Sequence, residues 1–192
     1  AIGHVGGALT FGFVIVALIY SFAHVSGAHF NPAVTIAFWS MGEFERKNVI
    51  PYIAAQLVGG LLASLSLFLL LKENFVLVSE VSYLGATIPS GTASQSFGFE
   101  FILTFILMIV ICSSAVHGKA TKDFAGLAIG LTVGLESMFA GPITGASMNP
   151  ARSIAPALIS GNVEHLWIYI VATILGAVCA AVVFMKVFKS ND

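Results

Sequence analysis

Among the residues whose types and spacing could do chemistry, two triplets stand out: Asn31-Pro32-Ala33 and Asn149-Pro150-Ala151. Each lies in a longer match, Gly27 to Ala37 against Gly145 to Ala155. Seven of those eleven positions are identical at a fixed offset of 118, the separation of Asn31 from Asn149, and Gly12 and Gly130 match at the same offset. An Asn directly before a Pro reads as a helix start. The carboxamide caps free N–H groups, and a Pro in the first turn has no N–H to lose. Two such starts facing each other would aim two partial positive charges, each about half an elementary unit, at one point. Asn31 and Asn149 would fix the loop with one part of the side chain and offer amide N–H donors with the other. The loop carbonyls of Gly27, Ala28 and His29, and of Gly145, Ala146 and Ser147, would supply acceptors along the same path. Unpaired carbonyls at membrane depth are tolerable only around a wet cavity. The chemistry is passage: a crossing water gives its oxygen to the Asn donors, and cations, protons included, meet the positive helix ends.

The rest of the chain must position these groups inside a membrane. Of 192 residues, 58% are hydrophobic and 9% charged, with net charge −1. That balance excludes an ordinary soluble enzyme, a disordered tail and a basic nucleic-acid binder. Five stretches are long and apolar enough to cross a hydrocarbon core of about 30 Å: residues 5–23, 49–71, 97–116, 124–140 and 166–188. Residues 32–39 and 150–159 follow the Asn-Pro pairs and are too short to cross, so they read as half-helices that enter and stop. Small-residue stripes at Gly126, Gly130 and Gly134, at Ala8 and Gly12, and at Ala172, Gly176 and Ala180 predict close helix packing. Cys112 and Cys179 have no metal-ligand spacing and read as small core residues.

The repeat offset carries 97–117 to positions before residue 1. The expected organisation is therefore one channel domain over 1–192: a first repeat (1–72) lacking its opening helix, an extracellular connection (73–96) and a second repeat (97–192). The intact architecture would hold six spans and two half-helices. Charge sets the orientation. Arg46, Lys47, Lys119, Lys122, Lys186 and Lys189 fall on one side of five crossings, against Lys72 on the other, which predicts a cytoplasmic C-terminus. The half-helices then enter from opposite faces, the arrangement of inverted repeats around a transport pathway.

The runs His29 to Thr35 and Met148 to Ser153 resemble the paired signature of the aquaporins, the major intrinsic protein family. Glu100-Phe101-Ile102-Leu103-Thr104 is similar to the family's buried Glu in the opening helix of each repeat, and Ser26 to His29, Ile19 to Ser21 and Phe124 to Leu127 look closest to archaeal-type members. The resemblance implies a homotetramer with one pore per subunit, no cofactor, and a selectivity ring. That ring maps to Phe11, twenty residues before Asn31; to Ser137 and Ala146, twelve and three before Asn149; and to Arg152. Water-selective members usually carry His where Ser137 stands, so this ring is wider and poorer in donors. Ser153 and Ala157 look water-type, whereas Ile170 replaces a Trp common in water channels. The implied passengers are water and, beside it, glycerol, ammonia or other small neutral solutes.

Two carboxyls fall inside spans. Glu100 reads as a hydrogen-bonded strut for the second loop, and Glu136, beside Ser137, as either structural or pore-tuning. Gln56 reads as a bridge to the first half-helix. Two further functions stay open: a coupled transporter, with Glu136 as carrier, and a structural or junctional membrane protein. The sequence holds no nucleophile–base pair, phosphate loop or metal cluster that would support an enzyme.

Overall fold

The computed structural model describes residues 2–71 and 84–188, which form the expected all-α membrane architecture. Among the described residues seven α-helices follow in order: α1 (Gly3–Ser26), α2 (Pro32–Ser40), α3 (Arg46–Leu71), α4 (Ala93–Ile111), α5 (Ala125–Thr144), α6 (Pro150–Ser160) and α7 (Leu166–Val183). Single π-helical turns, Cys112–Val116 and Phe184–Phe188, prolong α4 and α7. Among the described residues five helices are long and apolar enough to cross a membrane. Lys72, Lys189 and the connection up to residue 83 lie outside the described residues. The connection also ends earlier than expected. Thr92 caps α4 by accepting from the Gln95 N–H, so the helix starts at Ala93 and takes in the four residues before Phe97.

The two short helices have 9 and 11 residues. At 1.5 Å per residue they reach about 14 and 17 Å, roughly half a hydrocarbon core. Packing follows the repeat: α2 lies on α7, its counterpart α6 lies on α3, and α1 crosses its own counterpart α5. The α1–α5 crossing is where glycine is required. A Cβ on Gly12 would sit 2.7 Å from the Gly130 carbonyl oxygen, and one on Gly130 would sit 2.6 Å from that of Gly12. Gly134 continues this contact, and Gly176 brings α7 against the backbone of α4 at Phe101. The small-residue stripes are thus the helix contacts themselves.

Leu103, Met108, Cys112, Ala180 and Phe184 are fully buried behind these contacts. Cys179 corrects the expectation of a core residue. It is exposed on the outer face of α7, one 100° step from buried Ala180.

Candidate functional site

Each half-helix is reached through a loop of unusual backbone. Gly27 and Gly145 leave α1 and α5 at φ 83° and 86°, Ala28 and Ala146 follow at 50° and 43°, and Phe30 and Met148 stand at 50° and 55°. Left-handed backbone costs an L-residue with a Cβ about 1–2 kcal/mol, so four such residues need strong support. Asn31 and Asn149 then turn to extended backbone and cap α2 and α6. Asn31 Oδ1 accepts from the Ala33 N–H at 2.9 Å. Asn149 Oδ1 accepts from Ala151 at 3.0 Å and from Arg152 at 3.3 Å.

The amide nitrogens do something the sequence did not reveal. Asn31 Nδ2 donates to the Met148 carbonyl at 2.7 Å, and Asn149 Nδ2 donates to the Phe30 carbonyl at 2.9 Å. These reciprocal bonds clamp the two loops together across the repeat axis. A carboxamide has two N–H groups, so these bonds use one of the two on each Asn.

A cavity of about 750 Å³ runs along α1 from Phe11 to His24, about 20 Å of helix. Its wall holds Asn31 and Asn149 with Gly27, Ala28, His29, Ala146 and Ser147, and also the four positions mapped as a ring: Phe11, Ser137, Ala146 and Arg152. The Arg152 guanidinium lies 5.2 Å from the centre of the Phe11 ring and donates through Nη1 to the Gly85 carbonyl. Gly145 was expected on the wall. It instead closes α5 as its C-cap and lies against Thr87, a Cβ there falling 3.0 Å from that methyl group. Pro32, Ala33, Pro150 and Ala151 are buried at the helix starts, behind the wall and not on it.

Glu100 is fully buried on α4. Its Oε1 accepts from the Thr144 hydroxyl and the Ser147 N–H, both at 2.9 Å, and its Oε2 accepts from the Met148 N–H at 2.8 Å. One carboxylate thus holds two consecutive N–H groups where the backbone is left-handed. Glu136 is buried but off the cavity wall, which Ser137 lines. Neither of its oxygens has a hydrogen-bond partner among the described residues.

Behind the first loop stand residues of α3 and α2. The Tyr52 hydroxyl on α3 accepts from the His29 N–H at 3.3 Å and donates to the Ser26 carbonyl at 2.9 Å. The His29 ring packs among Phe38, Phe44 and Tyr52, with centroids 4.7–4.9 Å away. Gln56 Nε2 donates to Thr35 Oγ1 at 3.0 Å, which is the expected bridge to the first half-helix. Tyr52 went unread in the sequence. Its position four residues before Gln56, on the same face of α3, was the available signal.

The Major intrinsic protein family model matches residues 1–184 of this chain. The chain is 48% identical to nodulin-26 of Glycine max over 179 residues, covering 93% of this chain and 64% of that protein. It is 51% identical to aquaporin NIP3-1 of Arabidopsis thaliana over 178 residues, covering 92% and 55%. Among solved structures, the aquaglyceroporin from Plasmodium falciparum superposes with a TM-score of 0.82 at 25% identity, covering 98% of this chain and 84% of that one. The chain belongs to the major intrinsic protein family. It spans 64%, 60% and 62% of the first three curated relatives it matches, all plant proteins, where short runs of its sequence had pointed towards archaeal-type members.

Proposed function

We propose that this chain forms the pore of a passive channel for water and small neutral solutes. The observation that carries the reading is the pair of Asn carboxamides at the meeting of two half-helices. Both stand on the wall of a single cavity that also holds Phe11, Ser137, Ala146 and Arg152, and the reciprocal bonds use one N–H of each. The helix ends supply positive potential where a cation would have to shed its water. Glu136, the carboxyl a proton-coupled carrier would need, stands off the wall, which favours a channel over a transporter.

Ser137 and Ala146 are small, so the ring passes molecules larger than water, and glycerol is the second passenger. The names of two matching proteins, an aquaporin of Arabidopsis thaliana and an aquaglyceroporin of Plasmodium falciparum, support this breadth. In this reading the protein resides in the cell membrane with its C-terminus cytoplasmic, as a homotetramer with one pore per subunit. Residues 1–72 and 97–192 act as inverted repeats, and the connection between them is extracellular. No cofactor or metal takes part.

The test is stopped-flow light scattering on proteoliposomes of the full-length protein, under sucrose and then glycerol gradients. Rapid flux of both solutes is expected, with Ser137→His suppressing glycerol entry more than water. Absence of flux for both would overturn the channel reading in favour of a structural protein. Flux that follows an imposed proton gradient would replace it with a coupled carrier.

A further inference from the structure

In both halves a side-chain hydroxyl donates to the carbonyl of the capping Asn, Thr35 in the first and Ser147 in the second. In the first half the path is short: Gln56 Nε2 donates to Thr35 Oγ1, and the Thr35 hydroxyl donates to the Asn31 carbonyl at 3.1 Å. In the second half Ser153 replaces Thr35, and Ile174 stands at the repeat position of Gln56 with no donor to offer. The donor comes from the connection instead. The Thr87 hydroxyl donates to Ser153 Oγ at 2.7 Å, the hydroxyl oxygens of Ser153 and Ser147 are 2.5 Å apart, and the Ser147 hydroxyl donates to the Asn149 carbonyl at 2.9 Å. Each hydroxyl has one proton to give. The chain therefore has a single direction, from Thr87 through Ser153 and Ser147 to Asn149.

Thr87, Ser147 and Ser153 are 6%, 4% and 0% exposed. Burial keeps bulk water from substituting for a lost link, so each bond is stronger than it would be at the surface. The same short segment holds the two helices that flank the pore loop, α6 at Arg152 and α5 at Ile143. The Gly85 carbonyl accepts from Arg152, and the Ser90 N–H donates to the Ile143 carbonyl at 3.0 Å. Thr87 itself is not on the cavity wall, so it cannot meet a passenger.

We propose that Thr87 is a positioning residue of the pore. It heads a directed hydroxyl chain that sets where Asn149 and Arg152 stand relative to the cavity, doing from the connection what Gln56 does from α3. The proposal rests on the channel reading above.

Thr87→Val keeps the shape and removes the donor, whereas Thr87→Ser keeps the donor. Water and glycerol permeabilities are measured in proteoliposomes of each full-length variant, with thermal unfolding in detergent alongside. The glycerol-to-water ratio is expected to change about three- to tenfold in Thr87→Val, the size of one buried hydrogen bond, and to return to within about twofold of the parent in Thr87→Ser. In a Ser153→Ala background, Thr87→Val should add nothing to the ratio. A purely packing role would lower the unfolding temperature and leave the ratio alone, and that result overturns the proposal. Should Thr87→Val fail to fold, Thr87→Ala with and without Ser153→Ala is read the same way, and additive changes overturn it. A parent protein that conducts neither solute overturns both readings, which is distinct from a conducting parent whose ratio ignores Thr87.

Discussion

Residues 27–31 and 145–149 trace one backbone twice, with left-handed residues at the same three places, and among the described residues different side chains stand behind each, beside the reciprocal Asn bonds both share. The second loop hangs on the Glu100 carboxylate by three hydrogen bonds. The first rests on the Tyr52 hydroxyl and on a His29 ring set among aromatic side chains. Repeat positions explain part of the difference. Ile170 stands where Tyr52 does, and Ser147 where His29 does, so the aromatic brace cannot form in the second half. The backbone course and the capping Asn recur in both loops, whereas Glu100 stands on a helix whose repeat counterpart maps to positions before residue 1. What is not repeated is Arg152, whose counterpart is Val34. The two halves of the cavity therefore differ in charge while sharing geometry.

The comparison can be broken most forcefully at Glu100. Glu100→Ala leaves two buried N–H groups and a hydroxyl without partners, and should cost about 3–5 kcal/mol in denaturant unfolding of the detergent-solubilised protein, with flux lost. A smaller loss would mean that loop two is held chiefly by the reciprocal Asn bonds. Arg152→Val gives the second half the residue of the first. Glycerol and small-cation leak through proteoliposomes should rise about tenfold, equivalent to roughly 1.4 kcal/mol of lost discrimination; unchanged leak would separate Arg152 from selectivity. Tyr52→Phe removes one hydroxyl from the first brace and should lower stability by about 1 kcal/mol, several-fold less than the Glu100 variant. Equal losses would show the braces to be energetically equivalent. Glu136→Leu places the first-repeat residue, Leu18, in the second. It should leave flux unchanged and raise stability by about 0.5–1 kcal/mol, because a buried carboxyl without a donor is removed. Destabilisation would show that the carboxyl has found a partner.

Much of this was legible beforehand, for identifiable reasons. The spans follow from runs of apolar residues, the half-helices from Asn-Pro starts too short to cross, and the meeting of the two loops from a fixed repeat offset. Glu100, an acid inside an apolar helix, read as a hydrogen-bonded strut because a carboxyl there is costly to leave without partners. The reciprocal Asn-to-loop bonds were not legible, since one carboxamide can cap a helix and still direct its N–H groups several ways. Gly145 was misplaced because repeat identity says where the backbone turns and not which side of it faces the cavity. Thr87 left no mark at all. It lies in a segment without periodicity, and its partners are 66 residues away.

The Gly12–Gly130 crossing has a consequence of another kind. Two residues at equivalent places in the repeat touch each other, as they would across the axis of a symmetric dimer, where a surface meets its own copy. Here both copies lie in one chain, so each side can mutate alone and neither side can do so freely. A methyl group gained at either glycine would run into the other's carbonyl oxygen. Divergence of the two halves, which placed a single arginine, was thus barred at this point. Across diverging descendants of this chain, the pair should behave as one inherited character and not as two.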